Sequence, residues 1–319
     1  MIGFEVILPF LRPIGALIQD PDVSEIMVNP GGVVFAERQG LVERVEGVML
    51  AEKSLQVAVR NIARTLGSEV SEEQPILDAR LPDGSRVAAV IPPCSLGGTT
   101  LTIRKFCSRF FSAEELVRVG TLTADSLAHI RRAIEARQNI LISGGTSTGK
   151  TTMLNALSAL LPAADRVVLI EDTAELQVER PNVVRFEARR AQRDLSAVTI
   201  RDLLKATLRH RPDRIIVGEV RGAEAYDLLQ ALNTGHAGTL STIHANSGLQ
   251  ALARLAACVL QAGVELPYQA IRFQAADAIN IVMHLSRHRG VRTVSELIRI
   301  RRYDANQDRY DIDALIPSN

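Results

Sequence analysis

Between Ile14 and Phe106, short stretches of alternating apolar and polar residues are broken by turn-forming residues, a pattern of brief strands with one helix among them. Glu25 to Val28 and Val33 to Glu37 read as strands separated by Asn29-Pro30-Gly31-Gly32, a strong turn signal. Leu55 to Leu66 has the spacing of an amphipathic helix, and Gly67 closes it. After Asp78-Ala79-Arg80-Leu81, the turn Pro82-Asp83-Gly84-Ser85 and the strand Arg86 to Ile91 predict a hairpin, and Leu101 to Phe106 predicts one more strand. These elements make a small α+β domain over residues 1–106. The apolar start, Met1 to Ile18, reads as a packed helix. Arg12 and two prolines interrupt it, and it lacks the basic start and small-residue cleavage site of a secretory signal.

Residues 107–121 carry a phenylalanine pair, a helix start at Ser112-Ala113-Glu114-Glu115 and then Gly120, and read as an interdomain linker. Beyond them strands and helices alternate. Asn139 to Ser143, Arg166 to Glu171, Val183 to Glu187, Arg214 to Val220 and Gly238 to His244 read as strands, two of them nearly continuous apolar runs that suit a sheet buried on both faces. Helices fit between them at Thr151 to Leu161, Thr199 to Arg209, Ala223 to Thr234 and Gly248 to Gln261. This predicts an α/β, doubly wound nucleotide-binding domain over residues 122–319. Its tail from Pro267 forms a C-terminal appendage: a helix, then antiparallel strands around Ile279 to Leu285 and Val294 to Arg302.

One loop of that domain carries recognisable chemistry. Gly144-Gly145-Thr146-Ser147-Thr148-Gly149-Lys150-Thr151 fits G-x-x-x-x-G-K-[ST] and lies between an apolar strand and a helix, where a phosphate-cradling loop must lie. Its glycines let backbone N–H groups turn inward, and the helix N-terminus adds partial positive charge. The candidate nucleotide site runs from Gly144 to Thr152. Lys150 reaches the β- and γ-phosphates of ATP, and the Thr151 hydroxyl ligates Mg²⁺.

Two further strands end in acids, and ligands of open α/β sheets bind beyond the carboxyl ends of strands. Ile215-Ile216-Val217-Gly218-Glu219 delivers Glu219 as a Walker B acid that organises Mg²⁺ and its water. Val167-Val168-Leu169-Ile170-Glu171 delivers Glu171, a candidate to orient or deprotonate the attacking water. Alternation puts His244 at the end of its strand, where it could sense the γ-phosphate. His236 and His244 could also ligate a metal, but no third soft ligand stands near them in sequence.

Composition narrows the setting. Lys and Arg total 37 against 36 Asp and Glu, so no net field draws the whole chain to nucleic acid or an anionic membrane. Of the basic residues only Lys53, Lys105, Lys150 and Lys205 are lysines; codon bias explains the arginine excess as well as a phosphate-binding surface does. Cys94, Cys107 and Cys258 are widely spaced and odd in number, which fits a reducing cytosol. No window approaches the roughly 18 apolar residues needed to span a bilayer, so a role at a membrane is expected to run through partners.

Taken in order, these motifs resemble the secretion-type AAA-like ATPases of type II and type IV systems, above all the conjugal-transfer (TrbB) and Flp-pilus (CpaF) branch. The resemblance is carried by Asp22 to Asn29, Leu81 to Val87, Thr102 to Phe106, the phosphate loop, Ile170 to Thr173, Arg211 to Gly222 and the block Thr234 to Asn246. It implies a RecA-like P-loop ATPase domain preceded by a smaller α+β domain, with nucleotide bound between the two in a homohexameric ring. It also implies that Glu171 and Asp172 form an acidic box, that His236 to His244 form a histidine box, and that Arg104 reaches nucleotide phosphates, with Arg86 a weaker candidate. Sequence alone does not rank Arg104 against Arg209, Arg211 or Arg221. The short segment ahead of Asp22 leans toward the conjugation branch, and the cysteine quartet of some type II members is absent.

The function expected is a cytoplasmic, Mg²⁺-dependent ATPase motor at the inner face of the inner membrane, working with secretion or pilus platform proteins. The alternative is a nucleic-acid translocase tracking along the arginines between Arg180 and Arg211, although only Phe186 offers a stacking platform there. A nucleotide-gated scaffold without turnover is a third reading, and the intact Glu171 and Glu219 argue against it.

Overall fold

The computed structural model describes residues 4–38, 40–106, 111–189, 191 and 195–316. The chain divides into two compact units, Met1–Arg109 and Phe110–Asn319.

In the first unit the apolar stripe of the N-terminus is buried, with Ile7, Leu11, Ile14 and Ile18 at most 1% exposed. It does not form the continuous helix expected. Pro9 and Pro13 cannot donate i→i−4 hydrogen bonds, and the segment instead runs through three 3₁₀ turns into the short helix α1 (Gly15–Gln19). There follow β1 (Val23–Val28), β2 (Val33–Arg38), β3 (Leu41–Met49), helix α2 (Glu52–Thr65), β4 (Ile76–Arg80), β5 (Arg86–Val90) and β6 (Thr100–Arg104). The strands form one antiparallel sheet in the order β3-β2-β1-β6-β5-β4. β3 has no counterpart in the expected elements, because almost every residue of this charged edge strand is exposed and no alternation marks it.

Leu55, Ala58, Val59, Ile62 and Ala63 of α2 pack on one face of the sheet with Ile26, Val34, Leu77, Val87 and Ile103. On the other face the strand register aligns Glu37, Glu25, Arg104, Arg86 and Arg80 in one row across five strands. Burial pushes the Glu25 carboxyl up, while Arg104 pulls it down and Glu37 pushes it further up.

The second unit begins with α3 (Ala113–Arg118), opened by a reciprocal capping box between Ser112 and Glu115. Ala113, Leu116 and Leu122 are buried with Leu154 and Leu157, so α3, which lies within the expected interdomain linker, packs into this unit. Residues 107–110 of that linker lie outside the described residues. Next come α4 (Ala124–Glu135), β7 (Ile140–Gly144), α5 (Lys150–Ser158), β8 (Val167–Glu171), β9 (Val183–Glu187) and α6 (Ile200–Thr207). They are followed by β10 (Arg214–Val220), α7 (Glu224–Asn233), β11 (Leu240–His244), α8 (Gly248–Leu260), α9 (Tyr268–Ala278), β12 (Ile281–His288), β13 (Val291–Asp304) and β14 (Arg309–Ala314).

These strands make one sheet in the order β14-β13-β12-β7-β11-β10-β8-β9. The six from β12 to β9 run parallel, and β13 and β14 continue antiparallel. The C-terminal strands are therefore not an appendage, because β12 lies in register beside β7 and makes the phosphate-loop strand central. Apolar cores cover both faces, as near-continuous apolar strands require. At the amino-terminal edge Arg214, 3% exposed, pairs with Asp165 at 2.7 Å and donates to the Ile134 carbonyl at 3.1 Å. At the opposite edge the strands deliver Gly144, Glu171, Glu219 and His244.

Candidate functional site

The phosphate loop departs from β7 under close steric control. A Cβ on Gly144 would lie 2.6 Å from the Leu285 carbonyl oxygen and 2.5 Å from Thr148 Oγ1. Ser147 (φ 58°) and Gly149 (φ 95°) adopt left-handed backbone, which curls the chain into the N-terminus of α5. Arg292 of β13 braces the curl by donating from Nε to the Ser147 carbonyl at 3.1 Å. Thr151 and Thr152 are exposed on the first turn of α5.

Lys150 is 7% exposed and folded back on its own loop. Its ammonium donates to the carbonyls of Gly144 (3.1 Å) and Gly145 (2.7 Å) and lies 3.4 Å from His244 Nδ1. An ammonium has no acceptor, so Nδ1 accepts and the neutral imidazole keeps its proton on Nε2. That nitrogen faces Glu219 Oε1 at 3.1 Å. Burial holds His244 below its ordinary value, Lys150, Arg221 and Arg254 add to the effect, and the opposing pull of Glu219 does not overcome them. The ring is therefore neutral near pH 7 and joins Lys150 to Glu219.

Glu219 is clamped from its other side by Arg221, with Nε 2.8 Å from Oε1 and Nη2 donating to Oε2 at 3.0 Å. Burial alone would raise this carboxyl, but Arg221, His244 and Lys150 outweigh burial and keep it below the usual carboxylate range. Arg221 also lies 3.6 Å from Asp172, which extends the chain of groups to Lys150–His244–Glu219–Arg221–Asp172. Despite its short ion-pair distances, Glu219 Oε1 is buried without a well-aligned hydrogen-bond donor. A carboxylate held ionised beside a backbone cradle for phosphates fits a triphosphate with a divalent cation.

Glu171 stands apart from this chain. Although it ends a strand of the same sheet, β10 and β11 separate β8 from β7, and Glu171 is 3% exposed. Oε1 accepts from the N–H groups of Glu175 and Leu176, both at 2.8 Å, and Oε2 lies 3.8 Å from Arg185. The acidic box is thus divided, with Glu171 turned onto the following loop and Asp172 turned toward Arg221. Burial raises Glu171 to about 7, against the lowering effect of those N–H groups and of Arg185.

Because the folded value exceeds the ordinary value of about 4.5, folding favours the protonated carboxyl, and the associated stability is present below about pH 4.5 and lost as pH rises through about 7. Glu171→Gln keeps the acceptor and removes the titration. It is expected to gain on the order of 2–3 kcal/mol over wild type between pH 5 and pH 8.5, read from denaturant melts at both pH values. A difference that does not change with pH would contradict the assignment.

His236 is not part of the same cluster. It precedes β11 at the amino-terminal edge, where its N–H donates to Ala231 O at 3.2 Å, so the strand separates the two histidines of the expected box. Arg104 lies in the first unit, exposed at the end of β6, with Glu25 and Arg86 as cross-strand neighbours. Sequence reasoning missed Arg292 and His284. The buried His284 ring faces Ser143 Oγ at 2.9 Å from β12, a neighbour that only the strand register identifies.

A sequence profile described as Type II/IV secretion system protein matches residues 11–306. The conjugal transfer protein TrbB of Rhizobium radiobacter is 39% identical over 293 residues, 91% of this chain and 87% of TrbB. The type IV secretion system protein VirB11 of Bartonella quintana is 31% identical over 328 residues, 92% of each chain. The structure of the Legionella pneumophila ATPase DotB superposes with a TM-score of 0.62 at 18% identity, covering 88% of this chain and 76% of DotB; this likeness concerns the fold alone. The profile match across nearly the whole chain, and the TrbB identity over the same span, mean that the chain belongs to the type II/IV secretion ATPase superfamily, on its TrbB branch.

Proposed function

We propose that this chain is a Mg²⁺-dependent ATP hydrolase that works as a homohexameric motor for conjugal transfer or a related type IV secretion or pilus apparatus. The observation that carries the reading is the chain from Lys150 through His244 to Glu219 at the mouth of the phosphate loop, which joins the phosphate-holding cation to the acid beside it. In this reading the loop N–H groups and Lys150 hold the β- and γ-phosphates, and Lys150 leaves the Gly144 and Gly145 carbonyls to do so. Thr151 and Glu219 would hold Mg²⁺, which supplies charge neutralisation at the transferring phosphoryl group. His244 exchanges a contact with Lys150 for one with phosphate, which loosens or tightens its hold on Glu219. Glu171, titrating near neutrality, is the candidate base, and Arg104 is the candidate phosphate-contacting arginine of the N-terminal unit.

Among the described residues no helix is long and apolar enough to cross a membrane. We place the motor peripherally, at the cytoplasmic face of the inner membrane, through platform proteins. The translocase reading loses support from the arginines it needs. Arg180 donates to the carbonyls of Ala159 and Pro162, Arg185 to that of Leu176, Arg189 to that of Ser196, and Arg201 pairs with Asp227. These guanidinium groups hold the unit's own loops and, through Arg201, join α6 to α7. The test is phosphate release by the purified chain with MgATP and after chelation, with mass by sedimentation. Chelator-sensitive turnover in a hexamer is expected; turnover that requires single-stranded DNA would favour the translocase.

A further inference from the structure

We infer that Arg254 of α8 contacts the terminal phosphoryl group and holds it as it departs from the phosphate loop, a role that rests on the ATPase reading above. A cavity of about 360 Å³ opens beside the loop. Gly145 and Thr146 of the loop line it, with His244 at the end of β11, Asn246 just beyond that strand, and Gln250 and Arg254 of α8. Gln250 and Arg254 are four residues apart and share one helix face.

That face is firmly placed. Ser247 caps α8 by accepting from the Gln250 N–H at 3.1 Å, and the Gly248 N–H donates to Glu296 at 3.1 Å. Ala251, Leu252, Leu255, Ala256 and Val259 on the opposite face are fully buried. Arg254 differs from its neighbours in its pairing. Arg221 holds Glu219, and Arg292 braces Ser147, whereas among the described residues no group hydrogen-bonds or ion-pairs with Arg254. Its charge nevertheless reaches the site, where it contributes to the depressed value of His244. A guanidinium without an anion, facing a cavity that opens on a phosphate loop, has the fork geometry for a phosphate's oxygens.

His244 lines the cavity, and its Nε2 lies 3.1 Å from Glu219 Oε1, so the cavity adjoins the Lys150–His244–Glu219 chain. Hydrolysis forms a bond from water oxygen to the γ-phosphorus and breaks the bridging P–O bond, whose electron pair stays with ADP. One water proton remains on the phosphate and the other passes to solvent. Arg254 acts on the γ-phosphoryl oxygens before and after this step and makes no contact with the ADP portion.

The experiment uses the full chain with Arg254→Gln and Arg254→Lys, titrated with ADP alone and with ADP plus beryllium fluoride, which fills the terminal phosphoryl position, alongside turnover and inhibition by inorganic phosphate. ADP affinity is expected to stay within about twofold of wild type, which also reports an intact fold. The tightening produced by beryllium fluoride and the turnover are expected to fall about tenfold or more in the glutamine variant, with phosphate inhibition weakened and partial recovery in the lysine variant. Unchanged beryllium fluoride tightening and phosphate inhibition in Arg254→Gln would overturn the inference even if the wild type hydrolyses ATP. Arg254-dependent tightening in a wild type without turnover would support the contact and sink the ATPase reading alone.

Discussion

Lys150→Ala is expected to reduce MgATP affinity at least a hundredfold and to remove turnover, the largest effect of any single change to the site. The size follows from where the ammonium lies. It is buried, it is held by two carbonyls of the loop, and no other lysine flanks it in the motif. A charge-assisted contact to phosphate in such a place is worth several times an exposed one, and a loss of about 3 kcal/mol already amounts to a hundredfold. The same substitution takes the donor from Gly144 O and Gly145 O, which costs about 1–2 kcal/mol of local stability unless water replaces it. It also leaves His244 Nδ1 without its partner, so the ring is free to turn away from Glu219. Arginine is not a rescue, because the enclosed space and the carbonyl geometry suit a compact point charge. Calorimetric nucleotide titration with a parallel thermal melt separates the two consequences; wild-type turnover by this variant would remove Lys150 from the site.

The phosphate loop could be read from sequence because strand, loop and helix are contiguous, and each step is decided by neighbours within a few residues: the apolar run of β7, Gly144 and Gly149, then α5. The same holds for Glu219 and His244, which terminate strands with clear apolar patterns. How far each acid lies from the loop could not be read in this way. Glu171 and Glu219 both end buried strands, and they differ only in that β10 adjoins β11 while β8 lies one strand further out. Strand order is a tertiary property, set by crossovers and helix packing, and the local pattern of either strand carries no trace of it. Arg221, Arg292 and Arg254 were obscured for another reason. In a chain so rich in arginine, residue type says little, and only geometry distinguishes the arginine that clamps an acid from one that braces a loop or faces a cavity. The N-terminal stripe shows the reverse case, in which a helical spacing of buried residues survives although Pro9 and Pro13 prevent the helix itself.

Glu219→Gln is expected to keep nucleotide affinity at or above the wild-type level and to cut turnover by about a hundredfold to a thousandfold, the range seen when one preorganised electrostatic group is removed from a reacting centre. Glutamine matches the shape and keeps a carbonyl oxygen toward His244 and Arg221, so the fold of the strand end persists. Arg221 retains Asp172, 3.6 Å away, as a counter-charge. Removing a negative charge beside the phosphates relieves repulsion, which is why binding does not weaken. The negative charge itself is what is lost beside the phosphate loop. Since Arg221, His244 and Lys150 hold the wild-type carboxyl below its ordinary range, it is ionised throughout the neutral region, and the defect is expected to be the same at pH 6 and pH 8.5. Phosphate release and nucleotide binding measured on one preparation at both pH values test this. A glutamine variant that turns over normally would remove Glu219 from the reacting centre.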